Sequence, residues 1–443
     1  MRVAVVGAGY VGLVTAAGLA EHGHAVACID VDESKVAALN RGEPPIFERG
    51  LQPLLQRNLG TRLVATTDLA DAVRASELTL ICVGTPARSD GSIDLSFVQR
   101  ASEQIGGALC ATSAFHAVAV KSTVLPGTSD QVVRPACELS SGKRAGVDFG
   151  IGVNPEFLTE GQAVADFMHP DRIVIGGDRG TVAVLRDLYA GFEGVPIVET
   201  STSTAEMIKY ASNAMLAAAI SFANEIANLG SAIGGVDVAE VMRGVHLSRY
   251  FSTPQDDGTT VTASLSTFYE AGCGYGGSCL PKDVAALIAR GRQAGSPLPL
   301  LEAVAGINDR QPAQLVELLR RELGPLQGRR ITVLGLAFKP ETDDVRCSPA
   351  FPTLRMLTEA GAEVTVQDPV VGPEVLHGVG DVAYVEDLSD AVKDADAIVI
   401  ITRWDDYLQL PELVAMLDRP PLVVDGRRML AKTSVPRYAG IGL

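Results

Sequence analysis

The chain has 443 residues, 47% of them hydrophobic and 20% charged, enough apolar matter for two or three packed domains and too much for a disordered chain. A formal net charge of -16 excludes a general affinity for nucleic acid or an anionic membrane surface. The seven cysteines include no Cys-x-x-Cys and no spaced His/Cys set, so reduced thiols of a cytoplasmic compartment fit better than a disulfide framework or a zinc site, and no metal is expected.

From Arg2 the chain is apolar for about twenty residues, the profile of a secretory leader. Its internal pattern fits something else. Arg2–Val6 is the short β-branched run of a buried parallel strand. It feeds Gly7-Ala8-Gly9-Tyr10-Val11-Gly12, which opens a helix (Leu13–His22), and a second strand, His24–Ile29, ends in Asp30. Glycines in that frame make a tight turn and admit a pyrophosphate to the helix N-terminus. Asp30 is placed to accept hydrogen bonds from ribose hydroxyls and to repel a 2′-phosphate, so the frame selects NAD over NADP; Lys35 weakens that preference slightly.

The βα alternation continues through Leu78–Val83, Ala117–Val120 and Phe149–Val153. These strands end in Gly84-Thr85-Pro86, in Lys121-Ser122-Thr123, and in Asn154-Pro155-Glu156-Phe157-Leu158-Thr159-Glu160. In an open parallel sheet, ligands sit beyond the carboxyl ends of the strands, so Thr85, Thr123, Glu156 and Glu160 face one wall of a site. After a strand at Pro196–Glu199, Thr204–Leu229 reads as one long helix, apolar over most of its circumference and therefore buried between domains or subunits. Lys209 and Asn213 share one face of it. No uninterrupted apolar stretch reaches transmembrane length. Residues 250–267 read as an irregular polar loop.

Next comes Gly272-Cys273-Gly274-Tyr275-Gly276-Gly277-Ser278-Cys279-Leu280-Pro281-Lys282-Asp283. The glycines let the backbone turn sharply, and an amphipathic helix from Asp283 to about Arg290 follows. Helix N-terminus and Lys282 both favour thiolate over thiol at Cys279, which makes it a candidate nucleophile. The alternative is a small buried hydrophobe beside a turn. Beyond Gly328 the α/β pattern restarts, with strands at Ile331–Leu336, Glu363–Gln367, Ala397–Thr402 and Pro421–Val424 and a helix at Pro349–Ala360. The first of these strands ends without GxGxxG, in Gly335-Leu336-Ala337-Phe338-Lys339 with Arg346 beyond, and the last in Asp425-Gly426-Arg427. Cations at strand ends suit phosphates.

The fold expected is α/β, with two Rossmann-like doubly wound domains joined by a long central helix: 1–198 for NAD, 199–312 helical and carrying Cys279, 313–443 for a nucleotide.

Taken together, Gly-Ala-Gly-Tyr-Val-Gly, Val-Gly-Thr-Pro, Lys-Ser-Thr, Asn-Pro-Glu-Phe-Leu, Lys-Tyr-Ala-Ser-Asn-Ala, Gly-Gly-Ser-Cys-Leu-Pro-Lys-Asp, Gly-Leu-Ala-Phe-Lys-Pro and Asp-Gly-Arg resemble the UDP-glucose/GDP-mannose dehydrogenases over nearly the whole chain. The resemblance implies oxidation of a nucleotide-sugar 6-hydroxyl to a carboxylate with two NAD⁺, through a thiohemiacetal and a thioester on Cys279. It implies Lys209 and Asn213 at the C6 oxyanion, Asp283 beside the thiol and the attacking water, and Glu156 as general base, directly or through a water near Thr123. By the same resemblance Glu160 would contact substrate or that water, and Arg346 would reach the cofactor. Phe338, Lys339 and Arg427 would hold the nucleotide diphosphate, and Phe157, Leu158, Phe268, Tyr269, Gly272 and Gly274 would line the substrate. The resemblance also implies that Arg249 reaches the neighbouring subunit's substrate in a homodimer, or a higher homo-oligomer, built on the central helix. The stretch from Arg249 to Cys279 is longer than the family pattern, Cys273 stands where proline is common, and Thr159 replaces a frequent arginine. UDP-glucose is the expected substrate, with dTDP-glucose and GDP-mannose as alternatives. A two-electron NAD dehydrogenase and a non-enzymatic NAD-binding protein are the rival classes.

Overall fold

Leu78–Ile81 and Ala117–Val120 are buried at every position, as strands covered on both faces must be. In the computed structural model, which describes all residues from Met1 to Leu443, they lie at the centre of an eight-stranded sheet. Its strands are β1 (Arg2–Val6), β2 (Ala25–Ile29), β3 (Leu63–Thr66), β4 (Leu78–Ile81), β5 (Ala117–Val120), β6 (Gly150–Val153), β7 (Ile173–Gly177) and β8 (Ile197–Thr200). The spatial order is β3-β2-β1-β4-β5-β6-β7-β8. Val6 of β1 stands opposite Ile29 on one side and Ile81 on the other, so the winding reverses between β1 and β4. That reversal opens the crevice in which such sheets take ligands. This sheet lies within the first of two units, Met1–Ser212; the second is Asn213–Leu443.

The first unit departs from the sequence reading at β7, which runs antiparallel to β6 with Gly152 opposite Gly177 and Val153 opposite Gly176. Glycine permits that approach: a Cβ on Gly152 would lie 2.8 Å from the Gly176 carbonyl oxygen. Neither β3 nor β7 was expected. β3 is short and largely solvated, so it lacks a long apolar run.

The central helix, Thr202–Ile233, has 32 residues and a length of about 48 Å. By length and mean hydropathy it qualifies as a membrane span, which the sequence reading had discounted. Its buried polar groups nevertheless have protein partners, as those of interior helices do: Glu206 with Gly127, Lys209 with Glu156, Asn213 with Asp283, Asn224 with Gly272. The helix is not buried all round. Met207, Met215, Phe222 and Leu229 are 45%, 54%, 48% and 56% exposed.

The second unit has an all-parallel sheet of β11 (Arg330–Leu334), β12 (Glu363–Gln367), β13 (Val382–Tyr384), β14 (Ala397–Ile400), β15 (Leu422–Asp425) and β16 (Tyr438–Gly440), after a hairpin of β9 (Ser252–Pro254) and β10 (Thr260–Thr262). The order β13-β12-β11-β14-β15-β16 again reverses beside its first strand. The hairpin replaces the loop expected at 250–267. It pairs Ser252 with Thr262, and at its turn the Asp257 carboxylate accepts the Thr259 amide. Three buried clusters hold the two sheets, for example Leu13, Leu19 and Leu80 in the first unit and Leu354, Ile398 and Tyr407 in the second.

Candidate active site

The glycine turn after β1 separates packing from access. A Cβ on Gly7 (φ +107°) would lie 2.7 Å from the Cys82 carbonyl oxygen, and one on Gly12 would overlap the Gly7 carbonyl. A Cβ on Gly9 would meet nothing within 4 Å. Gly9 caps the helix Tyr10–Glu21 without a side chain, so the first-turn amides, including those of Tyr10 and Val11, face open space. A dinucleotide fits there: the turn is tight where it packs and open where a pyrophosphate would lie. Asp30 stands behind it, accepting the Ala8 amide at 2.9 Å and the Asp32 amide at 3.0 Å. The Tyr10 hydroxyl, by contrast, donates to Glu48, a buried carboxylate that also accepts the amides of Gly161 at 2.7 Å and Ala163 at 3.0 Å. Sequence reading missed Glu48, which ties the strand-end segment carrying Glu160 to the glycine turn. Lys35 lies half-buried in the first turn of the following helix.

The strand ends bring a buried charge cluster together. Thr85 donates its hydroxyl to the Thr123 carbonyl at 3.0 Å, joining the ends of β4 and β5. The Lys121 ammonium donates to Asn154 at 2.9 Å and Tyr189 at 3.3 Å, joining β5 to β6. Glu156 follows β6, and its carboxylate pairs with the Lys209 ammonium at 2.9 Å, both side chains almost wholly buried. The second Glu156 oxygen accepts the Leu158 amide at 2.5 Å. The Phe157 ring lies beneath two cations, Arg172 at 4.0 Å and Lys209 at 5.6 Å. Glu156, Phe157, Leu158 and Lys209, singled out separately from the sequence, therefore share one neighbourhood, with Arg172 as an unforeseen member.

In the second unit, residues Ala271–Gly277 are all buried, Ser278 is half-buried and Cys279 is exposed. Cys279 is the N-cap of the helix Leu280–Gln293, whose first turn contains Pro281 and Asp283. Its sulfur lies 3.5 Å from the Ser278 hydroxyl, and its carbonyl accepts the Asp283 amide at 2.9 Å. The buried Asp283 carboxylate accepts Asn213 Nδ2 at 2.6 Å and the Lys282 ammonium at 2.6 Å. Lys282, expected to act on the sulfur, thus has an anion of its own. Elsewhere burial pushes the Cys82 and Cys137 thiols up to about 12. Such thiols are inert at neutral pH.

The cysteine turn is gripped by the second sheet's edge. Gly272 donates its amide to Asn224 at 2.7 Å and accepts Gln311 Nε2 at 2.7 Å. Arg427 donates Nη1 to the Gly274 carbonyl at 2.8 Å and Nε to the Ile401 carbonyl at 2.5 Å, leaving its other terminal nitrogen for a ligand. The Phe338 ring packs against Gly277, and the Lys339 ammonium lies 5.9 Å from that ring. Arg346 is held in a fork by Asp344 at 2.7–3.0 Å, and its carbonyl accepts the Gly277 amide. Arg249 is exposed beyond the helix Val238–His246. Phe268 and Tyr269 are half-buried, and Tyr269 packs edge-on against Phe222 and Phe251. Tyr269 also borders a cavity of about 530 Å³ lined by Met242, His246, Glu270, Arg403 and Met429 among others, where Arg403 and Glu270 pair at 2.7 Å. Sequence reading named neither member of that pair.

Three family models match in succession: the NAD binding domain of the UDP-glucose/GDP-mannose dehydrogenase family at residues 1–193, its central domain at 203–310 and its UDP binding domain at 332–432. A UDP-glucose 6-dehydrogenase of Haloferax volcanii is 43% identical over 438 residues, 98% of each chain. A GDP-mannose 6-dehydrogenase of Pseudomonas syringae is 37% identical over 430 residues, 93% of each. The solved structure of a UDP-glucose dehydrogenase from Pyrobaculum islandicum superposes with a TM-score of 0.89 at 40% identity, covering 99% of this chain and 97% of that one.

Proposed function

The chain belongs to the UDP-glucose/GDP-mannose dehydrogenase family, and from that premise we propose that it oxidises the C6 hydroxyl of UDP-glucose to a carboxylate using two NAD⁺. UDP-glucose is preferred because the relatives named for it reach 43% identity against 37% for those named for GDP-mannose. The observation that carries the covalent route is an exposed Cys279 at a helix N-terminus, one turn from a buried Asp283 that Asn213 grips at 2.6 Å.

The turn at Gly9 and the Asp30 carboxylate would hold the pyrophosphate and ribose of NAD⁺, which would supply the hydride acceptor for each of the two oxidations. Glu156, directly or through a water held near Thr123, takes the proton of the C6 hydroxyl as the aldehyde forms. Cys279 sulfur then adds to the aldehyde carbon, and the resulting oxyanion is stabilised by Lys209 and Asn213, one turn apart on the central helix. Loss of a second hydride leaves a thioester, which water near Asp283 hydrolyses, freeing the carboxylate and the thiol. Lys209 answers to Glu156 before substrate arrives, so its charge is already desolvated and fixed when the oxyanion develops. Lys339, Arg427 and Phe338 receive the nucleotide diphosphate, with Phe268, Tyr269, Gly272 and Gly274 beside the sugar and base, while Arg346 and Thr85 serve the cofactor.

We divide the chain into an NAD domain (1–198), a helical domain (199–312) and a nucleotide domain (313–443), acting in the cytoplasm, where its seven free cysteines stay reduced. We further propose a homodimer on the central helix, supported by the exposed Met215, Phe222 and Leu229, which recur every seven residues along it.

NADH formation on a panel of UDP-glucose, dTDP-glucose, GDP-mannose and UDP-N-acetyl sugars tests the reading. The expected result is two NADH per UDP-glucose; one NADH identifies a two-electron dehydrogenase, and none across the panel refutes the assignment. Cys279→Ser should halt before free acid appears. Full acid production by that variant would exclude the thioester.

A further inference from the structure

Three residues before Lys209 on the central helix stands Glu206, a carboxylate only 2% exposed. It has no cation within ion-pair distance. Its oxygens accept two backbone amides, Gly127 at 2.6 Å and Ser129 at 2.9 Å. Burying a carboxylate without a counter-charge is costly, and here burial raises its pKa while hydrogen bonding from Ser129 and Gly127 opposes the rise. A leucine would fill the same volume without that cost. The carboxylate therefore serves the two amides.

Those amides belong to the segment that leaves β5 through Thr123. Gly127 is left-handed at φ +94°, and the Thr128 amide and hydroxyl both donate to the Leu125 carbonyl, so the turn is folded on itself. At Ser129 the chain enters a π-helical turn, Ser129–Val133, before the helix Arg134–Ser141. Such wide turns lack a regular N-terminal hydrogen-bond pattern and are frequent at functional sites. Glu206 closes the open end of this one. Because Lys209 lies less than one turn further along, the same stretch of helix holds both the Thr123 segment, through Glu206, and the Glu156 segment, through Lys209.

We propose that Glu206 is a positioning residue for the dehydrogenase reaction, setting the placement of the Thr123 strand end relative to Glu156 through the amides of Gly127 and Ser129. The inference rests on the assignment of Glu156 and Thr123 to proton transfer. Glu206 acts through the amides of Gly127 and Ser129, so its loss lowers kcat and leaves both KM values nearly unchanged. Glu206→Gln keeps the shape but sets its NH2 against one of the two backbone donors, leaving its oxygen to accept only the other. Glu206→Asp keeps the charge and draws it back by one methylene.

The experiment uses the full chain with UDP-glucose and NAD⁺, and follows amide hydrogen exchange over residues 121–131 in parallel. Glu206→Gln should lower kcat by about tenfold to a hundredfold, as expected for a small misplacement, with KM values within threefold and faster exchange confined to that segment. Glu206→Asp should recover part of the loss. A Glu206→Gln enzyme with kcat within twofold of the parent would overturn the proposal. So would accelerated exchange across the whole unit, or failure of both variants to fold, since the carboxylate would then be holding the domain together. Absence of NADH from the parent enzyme is a separate result and would refute the functional assignment itself.

Discussion

Lys209 and Glu156 form a buried pair at 2.9 Å, and this pairing changes what each residue means. From the sequence they were two separate candidates, an electrophile and a base, because residues 53 positions apart give no sign of contact. The pairing also explains why a lysine is tolerated in an apolar helix: a desolvated cation needs a fixed anion. His116 makes the same point with a neutral group. It is buried at the start of β5, with Nε2 2.7 Å from the Thr79 hydroxyl and Nδ1 3.2 Å from the Ser76 carbonyl. Burial lowers its pKa from 6.5 to about 4, against the raising effect of Ser76. A depressed histidine stays neutral in the folded chain while the unfolded chain takes up a proton. Its contribution is therefore whole above pH 6.5 and is lost as pH falls from 6.5 toward 4, amounting to about 3 kcal/mol. Denaturant unfolding at pH 7 and pH 4.5 should show that loss, and His116→Asn should flatten it. An unchanged slope in the variant would assign the acid sensitivity elsewhere.

Elements were legible where local chemistry alone decides them. The β1–helix–β2 frame needs glycines that pack and an acid that follows, and both are visible as residue types. The hairpin at β9–β10 was also encoded, by Asp257-Gly258 ahead of the β-branched run Thr259-Thr260-Val261-Thr262, but polar composition and Pro254 masked it. The antiparallel turn of β7 was not readable, because it depends on glycines of two strands meeting across the sheet. The cysteine turn shows the same limit. Its glycines suggested room for a ligand, yet a Cβ on Gly276 would lie 2.4 Å from the Cys347 carbonyl oxygen and one on Gly277 (φ +83°) 2.8 Å from the Phe338 ring. These glycines admit neighbouring protein, which places Cys279 at the mouth of a turn that cannot shift. Gly276→Ala should accordingly cost about 1–3 kcal/mol of stability, as overpacking against backbone does, and lower kcat more than it raises KM. Thermal unfolding with steady-state kinetics checks it. Parental stability and rates would mean that the turn yields, and that its rigidity is not what orients the thiol.

At the scale of the whole molecule, each unit repeats the same solution: a sheet, all parallel in the second unit and parallel through β6 in the first, whose strand order reverses beside its first strand. Both copies place an acid after the second strand, Asp30 and Asp368, each accepting amides of the turn after the first strand; they differ in the turn itself, Gly7-Ala8-Gly9 in the first and Gly335-Leu336-Ala337-Phe338-Lys339 in the second. That difference was readable, because it lies in residue types at strand ends. The burial of the central helix was only half readable, since a helix apolar on every side does not say which side its own chain covers. The exposed row of Met215, Phe222 and Leu229 answers that, and a second copy is the natural cover in the proposed dimer. Replacing Met215 and Phe222 by Asp removes four apolar side chains from a two-fold interface, about 6 kcal/mol or more, or roughly four decades in Kd. Light scattering should then give 46.4 kDa in place of twice that mass. Complementation tests the assembly more sharply, because the family resemblance implies that Arg249 serves the partner's substrate. Arg249→Ala and Cys279→Ser should each be nearly inactive alone. When co-expressed, half the dimers pair one of each, and every such dimer has one site with both an intact Cys279 and an intact Arg249. Activity should return to about a quarter of the parent's. Were Arg249 to serve its own chain, every site in the mixture would lack one of the two groups, and the mixture would stay as inactive as its components.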